Sequence, residues 1–308
     1  MKEWAMRELG FGEILDVIFQ TVKSNLKGML LITFLFFAPA VVIQLIGLQI
    51  GSFAIIFLSS IIFMIAYFLA MASVMLIVRD VRQEKDWNLR EIARQARSRF
   101  WPLLGASILF GLLVFAIVLV LILIFGIFGG SIAGLAMVLG GGSVSPGVGI
   151  LGAFGVFIMT VVFFVVYIFL MVRFSFYFPA VVFGESPPAL SRSWRLTQNN
   201  VWRLIGLYIV ITLFMLVIVM GPIFLLAKLS IPLVLTRLVQ AILDIIYYVF
   251  YAAAMAVVYF DLVVRNEAGD LLDLTARYEN AAPAHPANLE PAAAQAELHA
   301  DASPEDKE

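Results

Sequence analysis

Cysteine is absent from the 308 residues, which excludes disulfides, thiolate metal sites and cysteine nucleophiles. Histidine is almost absent: the two present, His285 and His299, stand in a stretch rich in Ala, Pro and acidic residues near the C-terminal end. No His-Glu-x-x-His pattern exists, and no serine in the hydrophobic runs can have a histidine base beside it. Charge is scarce as well, at 13% of residues, and residues 28–78 and 100–172 contain no Asp, Glu, Lys or Arg. A metal would need an all-oxygen cage, for which carboxylates are too few near those runs. Asp244 and Asp261 are 17 positions apart, which on one helix is about 25 Å, too far to share a proton as a protease dyad does. Gly140 to Gly142 follows no strand and precedes no lysine-serine pair, so it is no phosphate loop. The sequence therefore offers no catalytic, metal-binding or cofactor-binding residue, and the expectation is a non-enzymatic protein with no nucleic-acid partner.

What the chain has instead is hydrophobic length. Hydrophobic residues make up 63% and the mean hydropathy is +1.03, far outside the soluble range. A crossing needs roughly 20 apolar residues, so six spans fit: about 28–50, 53–78, 101–126, 150–173, 203–227 and 236–262. Hydrocarbon forces backbone groups to pair internally, and no alternating pattern of a membrane barrel occurs, so the spans are helical. The fold class expected is an all-α integral membrane protein. Its six transmembrane helices form three hairpins, each preceded by an amphipathic cytoplasmic interfacial helix. Residues 1–27 form the first such segment and carry no cleavable signal pattern. Residues 28–265 form the membrane domain, and residues 266–308 a tail without the means to bury a core from about 280.

Of the 20 Lys and Arg residues, only Lys228 and Arg237 fall in loops opposite to the N-terminal segment, the loops after spans two and four, and the tail. The positive-inside bias places both termini in the cytoplasm. Three junctions echo one another: Lys23-Ser24-Asn25-Leu26-Lys27-Gly28-Met29-Leu30, Arg97-Ser98-Arg99-Phe100-Trp101-Pro102-Leu103-Leu104 and Gln198-Asn199-Asn200-Val201-Trp202-Arg203-Leu204-Ile205. Each follows an amphipathic segment. The first has the stripe Phe11, Ile14, Leu15, Ile18, Phe19, Val22 and Leu26. The second opens at Asn88-Leu89-Arg90-Glu91 and turns Leu89, Ile92, Ala93, Ala96 and Phe100 one way, with Arg90, Arg94 and Arg97 opposite. The third, starting at Ser186-Pro187, has Leu190, Trp194, Thr197 and Val201 opposite Arg192 and Arg195. Such segments suit the headgroup region, as topology anchors or as a docking surface for anionic lipid headgroups and a membrane or cytoplasmic protein. The echo implies an internal repeat.

Two further features need placing. Residues 127–149 are uncharged and glycine-rich, which predicts an external loop with a short helix over 132–139, or else a re-entrant segment. Inside the sixth span, Asp244 has Gln240 at i−4 and Arg237 at i−7, with Tyr247, Tyr248 and Tyr251 following. An intramembrane carboxylate is either clasped by Gln240, a tyrosine, Lys228 or Arg237, or is a proton or substrate site. Arg173 and Asp261 sit at the cytoplasmic ends of their spans, where an ion pair or a backbone cap is expected. Pro222 and Pro232 predict a kink and a turn.

Three stretches carry a family resemblance: Leu9-Gly10-Phe11-Gly12-Glu13-Ile14-Leu15-Asp16, Ala189 to Thr197 continued by Asn200 to Gly206, and Tyr259-Phe260-Asp261-Leu262 with Arg265. Here the chain resembles the bacterial membrane domain associated with glycerophosphoryl diester phosphodiesterases. The resemblance implies this architecture and a place in the bacterial cytoplasmic membrane. In two-part relatives, hydrolysis resides in a separate soluble barrel, so no catalytic residue carries over to these positions. The functional expectation is a scaffold or accessory subunit. The alternatives are a transporter or lipid-handling protein, and an auxiliary module for a phosphodiesterase on another chain.

Overall fold

A computed structural model describes residues 8–139, 146–184, 189–198, 200–228 and 232–281. The elements are eight α-helices, and no strand occurs among the described residues: α1 (Phe11–Ile50), α2 (Phe53–Arg82), α3 (Leu89–Leu139), α4 (Pro146–Phe174), α5 (Tyr177–Phe183), α6 (Ala189–Leu196), α7 (Val201–Lys228) and α8 (Leu233–Ala281). Six of them, α1 to α4, α7 and α8, are long and apolar enough to cross a membrane. Residues 1–264 form one compact unit; the rest of α8 belongs to a second, Arg265–Glu308. The tail expected to lack structure from about 280 lies, beyond Ala281, outside the described residues.

The first two amphipathic segments are not separate elements. Each continues without a break into its span, so α1 has 40 residues and α3 has 51. At about 1.5 Å per residue, α1 is roughly twice the ~30 Å of a hydrocarbon core and cannot lie upright wholly within it. α1 starts where the Gly10 N–H donates to Glu13 Oε2 at 2.7 Å, and ends on Gly51, whose φ of 69° suits a residue without a Cβ. Asn88 caps α3 by accepting the Arg90 N–H at 2.9 Å. The loop expected over 127–149 is largely helix: α3 runs to Leu139 and α4 starts at Pro146, with 140–145 outside the described residues. The run tolerates this because its glycines interrupt no charge or cap, and α3 simply extends.

The core gathers at the arginine-rich ends of the helices. α2 buries an unbroken run from Ala70 to Val78, and α8 buries Val249 and Ala252 to Leu262. Small residues such as Ala70, Ala72, Ser73, Ala252, Ala253 and Ala256 allow the close approach that membrane helices favour. α8 is the hub. Tyr248 stacks on Phe37 of α1 with ring centroids 5.0 Å apart, and Phe260 stacks on Phe183 of α5 at 4.7 Å. By contrast α3, α4 and α7 turn large side chains such as Leu112, Phe115, Phe157, Val165 and Val217 outward, as lipid-facing surface does.

The threefold echo carries through to burial. Ile18, Val22 and Met29 are buried in the first module, Ile92, Ala96 and Leu103 in the second, and Ser193, Thr197 and Leu204 in the third. The spacing within each triplet is identical, and the residue two before the last is exposed in each: Lys27, Trp101 and Trp202. Three stretches of unlike sequence thus present one register to the same core.

Candidate functional site

At the basic end, three distant segments close on one carboxylate. Asp261 of α8 has a fully buried side chain. Its Oδ1 accepts the Leu9 backbone N–H at 2.8 Å, and its Oδ2 accepts Arg203 Nη1 at 2.8 Å. Arg203 Nη2 donates to the Leu9 carbonyl at 2.6 Å, completing a ring of charge-assisted bonds. Arg203 is placed for this by the first turn of α7, Leu9 by the start of α1. Asp261 thus makes both the ion pair and the backbone cap expected at the end of its span, with Arg203 and Leu9 as partners. Being buried, it is an internal fastener and not part of the cytoplasmic interfacial surface to which the sequence also assigns it. The three stretches that carry the family resemblance are the ones that meet here.

Arg173 serves a different end of the same collar. Its guanidinium lies 4.3 Å from the Trp194 ring centroid and 5.3 Å from that of Phe169, and Nη1 donates to the Trp194 carbonyl at 3.2 Å. Ser193 ties α6 to the turn after α4, its hydroxyl donating to the Arg173 carbonyl at 2.7 Å and accepting the Phe176 N–H at 3.1 Å. Of the expected stripe, Thr197 and Val201 are buried and Leu190 is half-buried, while Trp194 is exposed and Ser193 and Leu196 are buried instead. α5 has no counterpart in the sequence reading. Phe178, Pro179, Ala180 and Val182 bury it against α2, α3 and α6.

The basic residues therefore fall into two sets. Arg79 is held by Asp80 at 2.7 Å and by Gln95 at 2.9 Å; Arg82 sits 4.4 Å from the Phe260 ring centroid; Arg173 and Arg203 are engaged as above. Arg90, Arg94, Arg97 and Arg195 remain exposed, with Arg94 at 77% and paired to Glu91. Arg192 is half-buried. Beside the exposed cations, Trp101 and Trp202 are 73% and 80% exposed, where a water–lipid boundary suits indole rings. Hydrogen bonds from Gln95 and Arg94 hold the Glu91 carboxyl below the ordinary carboxylate range.

Toward the opposite end lies a polar vestibule of about 430 Å³, bordered by Asp244, Arg237, Gln240, Gln44, Ser59 and Ser60. The expected clasp is absent: Gln240 accepts from Arg237 Nη1 at 3.0 Å, and no hydrogen bond or ion pair among the described residues ends on the Asp244 carboxylate. Tyr67 and Tyr248 form its inner wall, and Tyr67 also borders a second, central chamber of about 400 Å³. Arg237, Gln240, Asp244, Tyr248, Tyr251 and Met255 recur every three or four residues, so a single face of α8 lines both spaces. That stripe was visible in the sequence; the chamber opposite it was not. Among the described residues, no three His, Asp or Glu side chains could hold a metal ion together.

Residues 22–267 match the model of one protein family, described as a domain of unknown function (DUF7847). The chain belongs to that family. The DUF7847 region takes in all six long apolar helices in whole or in part, together with Arg203 and Asp261, and begins after Leu9. No match was found among curated proteins or among solved structures.

Proposed function

We propose that the protein is a non-enzymatic multi-pass membrane scaffold or accessory subunit of three helical hairpins, with its termini and basic collar on the cytoplasmic side. The collar engages anionic lipid headgroups and a protein partner. One observation carries this reading: the arginines divide into a set consumed by internal contacts and a set, Arg90, Arg94, Arg97 and Arg195, left exposed beside Trp101 and Trp202. Each cation near an anionic leaflet contributes about 1 kcal/mol, so three on one helix face make a selective contact. Thermal unfolding of the purified protein is the test, with phosphatidylglycerol or phosphatidylcholine added. Phosphatidylglycerol should stabilise the wild type in a salt-sensitive way, and Arg90→Glu/Arg94→Glu/Arg97→Glu should lose most of that gain. Equal stabilisation of both proteins would sink the reading.

A second reading, a transporter or lipid-handling protein, is favoured by the vestibule at Asp244. A carboxylate without a protein partner among the described residues, on a helix face that borders two cavities, suits proton or substrate coupling. Flux or substrate binding unchanged in Asp244→Asn would remove that residue from such a role. The resemblance to phosphodiesterase-associated membrane domains supports a third, an auxiliary module for an enzyme on another chain, which co-purification of phosphodiesterase activity would reveal.

A further inference from the structure

We infer that the central chamber is a binding site for an uncharged lipid bearing ester or ketone oxygens, entered from the bilayer beside α4. Five of the nine tyrosines converge there: Tyr67 of α2, Tyr167 of α4, Tyr177 of α5, Tyr208 of α7 and Tyr251 of α8. Two are satisfied by protein. Tyr177 shares a 3.1 Å hydrogen bond with Ser107, and Tyr208 lies 2.9 Å from Ser175 Oγ and 3.1 Å from Met255 Sδ. The hydroxyls of Tyr67, Tyr167 and Tyr251 make no hydrogen bond among the described residues. All three are half-buried, and a phenol drawn out of water ordinarily finds an acceptor. Three such donors from three helices around one space define the polar part of a site.

The rest of the lining states the chemistry of the occupant. Met71, Met75, Met171 and Met255 supply soft, adaptable walls that accept an irregular apolar body. Among the described residues no Asp, Glu, Lys or Arg borders the chamber, so a charged headgroup would enter without a counter-charge and against a steep desolvation cost. At about 400 Å³ the chamber lies within the range of small-molecule sites, roughly 300–1,000 Å³. A phenol O–H with no acceptor among its protein neighbours has its donor capacity open, and a carbonyl oxygen of an ester or ketone fills it. Ile168 both borders the chamber and is 45% exposed on the outward face of α4. The way in is therefore sideways, from the hydrocarbon. This site is separate from the basic collar, and its occupancy is independent of headgroup binding there.

Native mass spectrometry of the full chain released from detergent tests the inference, using 1,2-dioctanoylglycerol and dioctanoyl phosphatidate, which differ by one phosphate. The wild type should retain a single dioctanoylglycerol, and in the Arg90→Glu/Arg94→Glu/Arg97→Glu background, where the collar no longer draws anions, it should be held about tenfold more tightly than the phosphatidate. Met255→Trp fills the chamber and should weaken retention by about tenfold, while Tyr67→Phe/Tyr251→Phe, which keeps the shape and removes two donors, should weaken it by about fivefold. Arg90→Glu/Arg94→Glu/Arg97→Glu should leave it unchanged. Phosphatidate retained as well as the neutral lipid in that arginine-reversed background, or several adducts indifferent to Met255→Trp, would overturn the assignment. Should Met255→Trp fail to fold, the tyrosine pair decides, and unchanged retention in that folded variant overturns it equally.

Discussion

Each oxygen of Asp261 has its own donor, and the two donors are linked through Leu9 and Arg203. Asp261→Asn keeps the shape but turns one acceptor into a donor facing an N–H group. Removing one partner of a buried charge pair costs about 3 kcal/mol or more, so unfolding in detergent should shift to markedly lower denaturant. Arg203→Lys should fail to rescue, since one ammonium cannot span both Asp261 and the Leu9 carbonyl as the guanidinium fork does. Glycines separate by what stands beside them. A Cβ at Gly28 would overlap the Trp87 indole, whose Nε1 donates to Asn25 Oδ1 at 3.2 Å, whereas a Cβ at Gly105 meets nothing within 4 Å. Gly28→Ala should lower stability by about 1–3 kcal/mol, while Gly105→Ala should leave it unchanged or raise it by up to ~1 kcal/mol; thermal melts of the two variants side by side check the contrast.

At the scale of elements, the starts and turns carry the specific chemistry. The Glu91 carboxylate, accepting from Gln95 and paired with Arg94 in the first turns of α3, has its ionised form favoured in the folded state. Its contribution is therefore present above the unfolded value and is lost as pH falls through the lowered folded value. Acid should loosen the start of α3, read by faster amide exchange at Glu91 to Gln95, and Glu91→Gln should remove that pH dependence. The C-terminal cap of α5 is Gly184 at φ 77°, against the Arg99 guanidinium. Elements legible in the sequence were those set by hydrophobic length or by a local cap: the six spans, and the Asn88 start of α3. Those that escaped it depend on partners far away. α5 is too short for a periodicity and is held by packing, and the face of α6 is chosen by Ser193 bonding to the end of α4, which a hydrophobic stripe cannot reveal. Asp261 and Arg203 both stood in stretches singled out from the sequence, but 58 residues separate them and no pattern pairs them.

For the whole molecule, the absence of cysteine makes orientation directly measurable. Lys85 and Lys228 are both exposed, at ends of α2 and α7 that the charge bias assigns to opposite sides. In intact cells a membrane-impermeant maleimide should label Lys228→Cys and spare Lys85→Cys until the cells are opened; the reverse pattern would invert the topology. The identical burial register of the three modules was foreshadowed by their junctions, although only Leu26, Phe100 and Val201 and their successors look alike in sequence. Burial is the more durable signal, because a core constrains volume and contact rather than residue identity.

Leu9 and Asp261 are 252 residues apart, and this sets an order of events during synthesis. The first helix leaves the ribosome with the backbone N–H and carbonyl of Leu9 bonded to water, and it must wait through five further insertions. The carboxylate that receives it comes only within the sixth long apolar helix. Until α8 arrives, Arg203 is an exposed cation at the membrane surface, and the N-terminal segment is free to be held by something else. A nascent chain stalled before Asp261 would thus lack the acceptor that joins Leu9 to Arg203, and the start of its first helix would stay unfastened.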